Sequence, residues 1–101
     1  MPKLYEYFGL VVYFYTNEHE PIHVHGSHQG AEHKAEIILL EGEVARVRFV
    51  RVAGKPPLPP ARLKDFKTLV NRKANEIVKL WVDYFVMHKT IKTNIIRRRL
   101  K

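Results

Sequence analysis

The chain has 101 residues, a mass of 11.9 kDa and a formal charge of +8 at pH 7, from 18 Lys+Arg against 10 Asp+Glu. That length holds one domain and no second independent core, and a hydrophobic content of 46% is too apolar for a chain disordered throughout. The absence of cysteine excludes a disulfide framework, a thiolate zinc finger, an iron–sulfur site and a cysteine nucleophile; no apolar run reaches the roughly 18 residues of a membrane span, so a soluble protein of the reducing cytoplasm, without a membrane partner, is the expectation.

Residues 10–15 (Leu-Val-Val-Tyr-Phe-Tyr) are almost all β-branched or aromatic, which predicts a central strand covered on both faces, with Gly9 as a bend at its start. Residues 16–21 break the pattern and read as a loop. Ile22-His23-Val24-His25 then alternates, placing Ile22 and Val24 on one face of a strand and the two histidines on the other. Gly26, Ser27, Gln29 and Gly30 suggest a turn or a bulged crossing, after which residues 34–40 resume a strand. Glu41-Gly42 reads as a tight hairpin turn into a strand over 44–52, where Ala45, Val47 and Phe49 share one face and Arg46 and Arg48 the other. The apolar pattern shifts by one residue at Phe49-Val50, as a β-bulge would produce; an edge strand with one mixed face is the alternative.

The run Gly54-Lys55-Pro56-Pro57-Leu58-Pro59-Pro60 is a stiff connector, and Pro60 suits the first position of a helix. Phe66, Val70, Ile77, Trp81, Phe85 and His88 fall at helical spacings, which predicts one long amphipathic helix over 60–88 with Trp81 buried against the sheet. The fold class is therefore α+β: a small antiparallel sheet of about four strands packed against one long C-terminal helix. The domain is expected to span residues 1–89. A basic tail follows over 90–101, either a short extra strand through Ile95-Ile96 or disordered.

Five of the six histidines lie between His19 and His33. On a strand, His23 and His25 point the same way about 7 Å apart, and with His19 brought round by the Glu20-Pro21 bend they are candidate ligands for a divalent metal, zinc or nickel. The alternatives are a polar face of hydrogen-bonded histidines, or acid–base chemistry without metal. Ser27 is the lone serine, and on an extended segment it points away from His28, so a Ser/His pair is not expected. No phosphate-binding glycine loop, dinucleotide fingerprint or Gly-x-Ser-x-Gly is present. The basic balance favours polyanionic partners, with Arg46, Arg48, Arg51, Arg97, Arg98, Arg99 and Lys101 as candidate contacts to nucleic acid or an acidic protein. Tyr5, Tyr7, Tyr13 and Tyr15 are stacking surfaces if exposed, and core residues otherwise.

Tyr5-Glu6-Tyr7-Phe8-Gly9, the strand over 10–15 and Asn17-Glu18-His19-Glu20-Pro21-Ile22-His23-Val24-His25 resemble the bacterial family called domain of unknown function 4160. The resemblance extends through the Glu-x-Gly hairpin and Gly54-Lys55 to the helix near Trp81 and Phe85; His19, Pro21, His23 and His25 are its specific positions, while His28 and His33 lie outside the motif. It implies a small bacterial protein without an established reaction, whose relatives often look like partners of another small protein in two-gene arrangements, some with toxin–antitoxin or regulator labels. Two functions of different class follow. The first is a non-enzymatic binding or accessory protein for nucleic acid or a partner protein. The alternative is a metal- or His-dependent hydrolase or nuclease, with His19, His23 and His25 at its centre and a nearby arginine stabilising a phosphate. A homo-oligomer joined through a sheet edge or an aromatic patch is a third arrangement.

Overall fold

The computed structural model describes residues 2–15 and 22–101. Strands β1 (Lys3–Tyr7), β2 (Leu10–Tyr13), β3 (Ile22–His28), β4 (Ala31–Leu40) and β5 (Glu43–Arg51) precede helix α1 (Pro60–Phe85), and β6 (Asn94–Ile96) closes the chain. They form one six-stranded sheet in the order β5-β4-β3-β2-β1-β6. Neighbours are antiparallel except β1 and β6, which run parallel. The class is α+β with a C-terminal helix on a sheet, as expected, but the sheet has six strands rather than about four.

Of the two additional strands, β6 realises one of the two readings of the tail, and β1 left little local signal. In β1 the pairing with β2 is irregular between Lys3 and Tyr5, so Leu4, Tyr5 and Tyr7 are all buried and the two-residue alternation is lost. Strand β6 is three residues long and exists only because β1 lies beside it. The segment 90–101 thus adds the extra strand and is docked onto the rest of the chain: the Thr93 hydroxyl donates to the Lys3 carbonyl at 3.2 Å, and the Leu100 N–H to the Tyr7 hydroxyl at 2.9 Å.

Three hairpins share one device. Phe8-Gly9, Gln29-Gly30 and Glu41-Gly42 each have positive φ at both central residues, the type I′ geometry whose twist matches that of the flanking strands. The turn expected somewhere between residues 26 and 30 is therefore Gln29-Gly30, and Gly26 lies inside β3. Its lack of a side chain is what lets the helix approach: a Cβ there would stand 2.6 Å from Cδ1 of Phe66. The expected bulge at Phe49-Val50 is not found. The irregularity between β4 and β5 falls at Ile38/Leu39, opposite Ala45, and alternation continues through residue 51, with Val50 on the face opposite Phe49.

One face of the sheet meets α1. Phe66, Leu69, Val70, Ala74 and Ile77 are the buried helix residues, packed on Tyr5, Val12, Val24, Ala35 and Ile37. The helix ends at Phe85 rather than His88, which lies beyond it with a positive φ of 56°. Trp81 is half-buried and packs on Phe85, ring centroids 5.0 Å apart. The stripe has the expected phase, but its buried part runs from Phe66 to Ile77 and ends one turn before Trp81. Tyr5 donates its hydroxyl to Glu76 of the helix at 2.5 Å. Burial, followed by that carboxylate, pushes the Tyr5 phenol upward.

Candidate functional site

The register of β2, β3 and β4 decides what the histidines meet. Ile22, Val24 and Gly26 face the helix, which leaves His23, His25 and Ser27 on the open face of the sheet. Their cross-strand partners on β4 are Glu36, Lys34 and Glu32, while Tyr13 of β2 lies opposite His25 on the other side.

Glu32 is the centre of this face. It accepts the Tyr13 hydroxyl at 2.8 Å on Oε1, and on Oε2 the Tyr15 hydroxyl at 2.5 Å and His25 Nδ1 at 3.0 Å. A carboxylate only accepts, so Nδ1 of His25 carries a hydrogen. The Tyr15 ring stacks on the imidazole at 3.7 Å with 6° between planes, and the Tyr13 ring lies beside the pair, 5.8 Å from His25 and 5.7 Å from Tyr15. His25 is 2% exposed and Glu32 4%. Burial pushes the Glu32 carboxyl upward, but the Tyr15 and Tyr13 hydroxyls and the His25 charge outweigh it and hold the group below the usual carboxylate range. Burial and the same carboxylate push the Tyr13 phenol upward, while a hydrogen bond with Ser27 draws it partly back.

A carboxylate holding an imidazole by Nδ1 is the geometry that orients a general base. A base must also reach its substrate, and this ring lies beneath Tyr15. The network also ties β2, β3 and β4 together. His23 is adjacent, its ring centroid 5.6 Å from that of His25, so the structure does place these two imidazoles side by side, as their spacing predicts. His19, the third expected ligand, lies outside the described residues, as does the loop over 16–21. Among the described residues no group of three His, Cys, Asp or Glu side chains is arranged to hold a metal ion.

A second buried histidine lies on the other face. His33, opposite Gly26, points toward the helix, is 6% exposed and accepts the Leu58 N–H on Nδ1 at 3.1 Å. An imidazole nitrogen that accepts carries no proton. Burial first, then the charges of Arg51 and Lys67, push its pKa below the ordinary value. This bond anchors the proline connector, as does the Glu32 N–H donating to the Pro56 carbonyl at 3.0 Å. Ser27 and His28 point to opposite faces, and His28 Nδ1 donates to the Gly9 carbonyl at 3.0 Å.

The basic residues expected to act together are divided. Arg46, Arg48 and Arg51 lie on β5, and Arg97, Arg98, Arg99 and Lys101 follow β6 at the opposite edge of the sheet, five strand spacings or roughly 24 Å away. Arg48 pairs with Glu36 at 3.1 Å. Arg99 pairs with Asp65 at 3.0 Å and lies 4.1 Å from the Phe8 ring centroid, fastening the tail to the start of the helix. Sequence reasoning missed Glu32 and the role of His33. The Gln29-Gly30 turn carried the signal: a two-residue hairpin there sets Ser27 against Glu32 and His25 against Lys34.

The family profile described as domain of unknown function (DUF4160) matches residues 9–82. The chain belongs to that family. The matched stretch runs from the β1–β2 turn to near the end of α1, and so contains both buried histidines and Glu32. No curated protein and no solved structure matches the chain. No helix among the described residues is long and apolar enough to cross a membrane.

Proposed function

We propose that this protein is a non-enzymatic binding or accessory component that engages an anionic macromolecule through the arginines of the β5 edge. One contrast carries the reading. Two acid–base groups are committed inside the fold, His25 on Glu32 beneath Tyr15 and His33 on the Leu58 N–H. Arg46 and Arg51, by contrast, are exposed and form no ion pair with a described residue. Two edge cations without an ion pair to a described residue favour a partner that supplies the anions. Of the C-terminal cations Arg99 is the weaker candidate, because it is already paired with Asp65, whereas Arg97, Arg98 and Lys101 are exposed and form no ion pair with a described residue.

The test is fluorescence anisotropy at low salt with labelled polyglutamate, duplex DNA and single-stranded DNA. At least one anion is expected to bind, more weakly as salt rises, and Arg46→Glu with Arg51→Glu is expected to weaken binding by about tenfold or more. No binding to any of the three polyanions would overturn the proposal.

A further inference from the structure

We infer that the outer edge of β5 receives an extended, acidic segment of a partner polypeptide as a seventh strand. This inference rests on the reading above and specifies the partner's chemistry. The sheet ends very differently on its two sides. Strand β6 is a three-residue edge, whereas β5 is nine residues long and among the described residues pairs only with β4. Its outer side therefore presents backbone donors and acceptors in alternation. A phosphodiester chain offers acceptors only, whereas a second peptide backbone offers both in the required spacing.

The side chains define the rest of the partner. Arg46 and Arg48 lie opposite Ile38 and Glu36, on the open face of the sheet, two residues or about 7 Å apart. An added strand sets its own side chains beside them at the same interval, so carboxylates at alternate positions meet Arg46, which forms no ion pair with a described residue, and the exposed part of the Arg48 guanidinium, whose Nε is already held by Glu36 at 3.1 Å. On the helix face, Val47 and Phe49 are half-buried, with the Lys67 ammonium 5.8 Å from the Phe49 ring centroid and Arg51 next in line. Apolar side chains at the intervening positions of the added strand extend that layer. The irregularity opposite Ala45 limits the regular ladder to residues 46–51. A second copy of this chain is the poorer occupant: it brings a formal charge of +8 to a cationic edge, and in the register about Val47 it would set Arg46 of each copy directly against Arg48 of the other.

The experiment uses the full chain and a labelled nine-residue peptide alternating Glu and Val. Two further peptides of the same sequence are N-methylated at the odd or at the even backbone nitrogens; all three have equal charge. A Lys/Val alternating peptide and a single-stranded DNA oligonucleotide complete the set. The parent peptide is expected to bind and to protect amides within residues 43–51 from hydrogen exchange. One N-methylated peptide is expected to bind about tenfold or more weakly while the other keeps its affinity, because only one set of N–H groups faces β5. The Lys/Val peptide should not bind, and Arg46→Glu combined with Arg48→Glu should weaken the parent peptide by at least about tenfold. Equal binding of both N-methylated peptides, protection elsewhere in the sheet, or indifference to the arginine changes would overturn the inference. If DNA binds in an Arg46-dependent way and the peptide does not, strand addition falls while the proposed function stands. If neither polyglutamate nor nucleic acid binds, both fall.

Discussion

His25 and His33 lie eight residues apart on adjacent strands, both nearly inaccessible, and their environments are opposite in sign. On the open face His25 donates Nδ1–H to an ionised carboxylate that two tyrosine hydroxyls also hold. On the helix face His33 accepts a backbone N–H at the same atom, with Arg51 and Lys67 near it. Burial alone therefore does not set a histidine's role. The first polar neighbour determines which nitrogen carries the proton, and the surrounding charge determines which form the site favours. A strand pair only one residue thick holds both arrangements because alternate residues face different layers.

The open face is most sensitive at Glu32. Glu32→Ala leaves His25 Nδ1 and the Tyr13 and Tyr15 hydroxyls buried without their common acceptor, and is expected to cost about 3–5 kcal/mol in a urea melt. Glu32→Gln keeps an acceptor oxygen and should lose less. A loss below about 1 kcal/mol for the alanine variant would show that the network contributes little to stability. The matching test of the helix face is Phe66→Ala, expected to cost about 3–5 kcal/mol through the cavity it opens. Gly26→Ala drives a methyl into the Phe66 ring and should cost about 1–3 kcal/mol; the double variant Gly26→Ala with Phe66→Ala should lose less than the sum, because the truncated ring no longer meets the added methyl.

At His33 the expected effect is smaller and more specific. His33→Ala orphans the Leu58 N–H, at a cost of about 1–3 kcal/mol, whereas His33→Asn can present a carbonyl oxygen near the Nδ1 position and recover part of it. The two sites also separate on the pH axis. His33 is depressed below 6.5, so the folded state takes up its proton less readily than the unfolded chain; its contribution is fully present above about pH 6.5 and is lost as pH falls through the folded value. Glu32 is depressed below 4.5 and acts later, its contribution present above about 4.5 and lost on further acidification. Urea melts across pH 3–8 should show an acid limb whose upper part is missing in His33→Asn and whose lower part is missing in Glu32→Gln. A limb unchanged in both variants would disconnect these groups from acid sensitivity. The smallest effect is expected at Trp81, whose half-buried ring packs on Phe85 at the margin of the core. Trp81→Ala should cost about 1–2 kcal/mol, well below Phe66→Ala under the same conditions.

Features that repeat locally were legible along the chain. Two-residue alternation placed His23 and His25 together on one face of β3, the Glu41-Gly42 pair marked its hairpin, and the prolines before residue 60 marked the start of the helix, whose apolar spacing set the buried phase. What the tertiary structure decided depends on register and distance. Strand β6 exists because β1 lies beside it, and β1 escaped notice because its irregular pairing buries Leu4 and Tyr5 in succession. Glu32 became the centre of the open face because the Gln29-Gly30 turn sets it against Ser27, within reach of Tyr13, Tyr15 and His25. Charge counting grouped the basic residues, and strand order separated them to opposite edges of the sheet. Periodicity is a property of a few neighbouring residues, enforced by backbone geometry alone. Which side chains meet across strands is set by pairings between segments distant along the chain, and those form only when the whole sheet closes around its core.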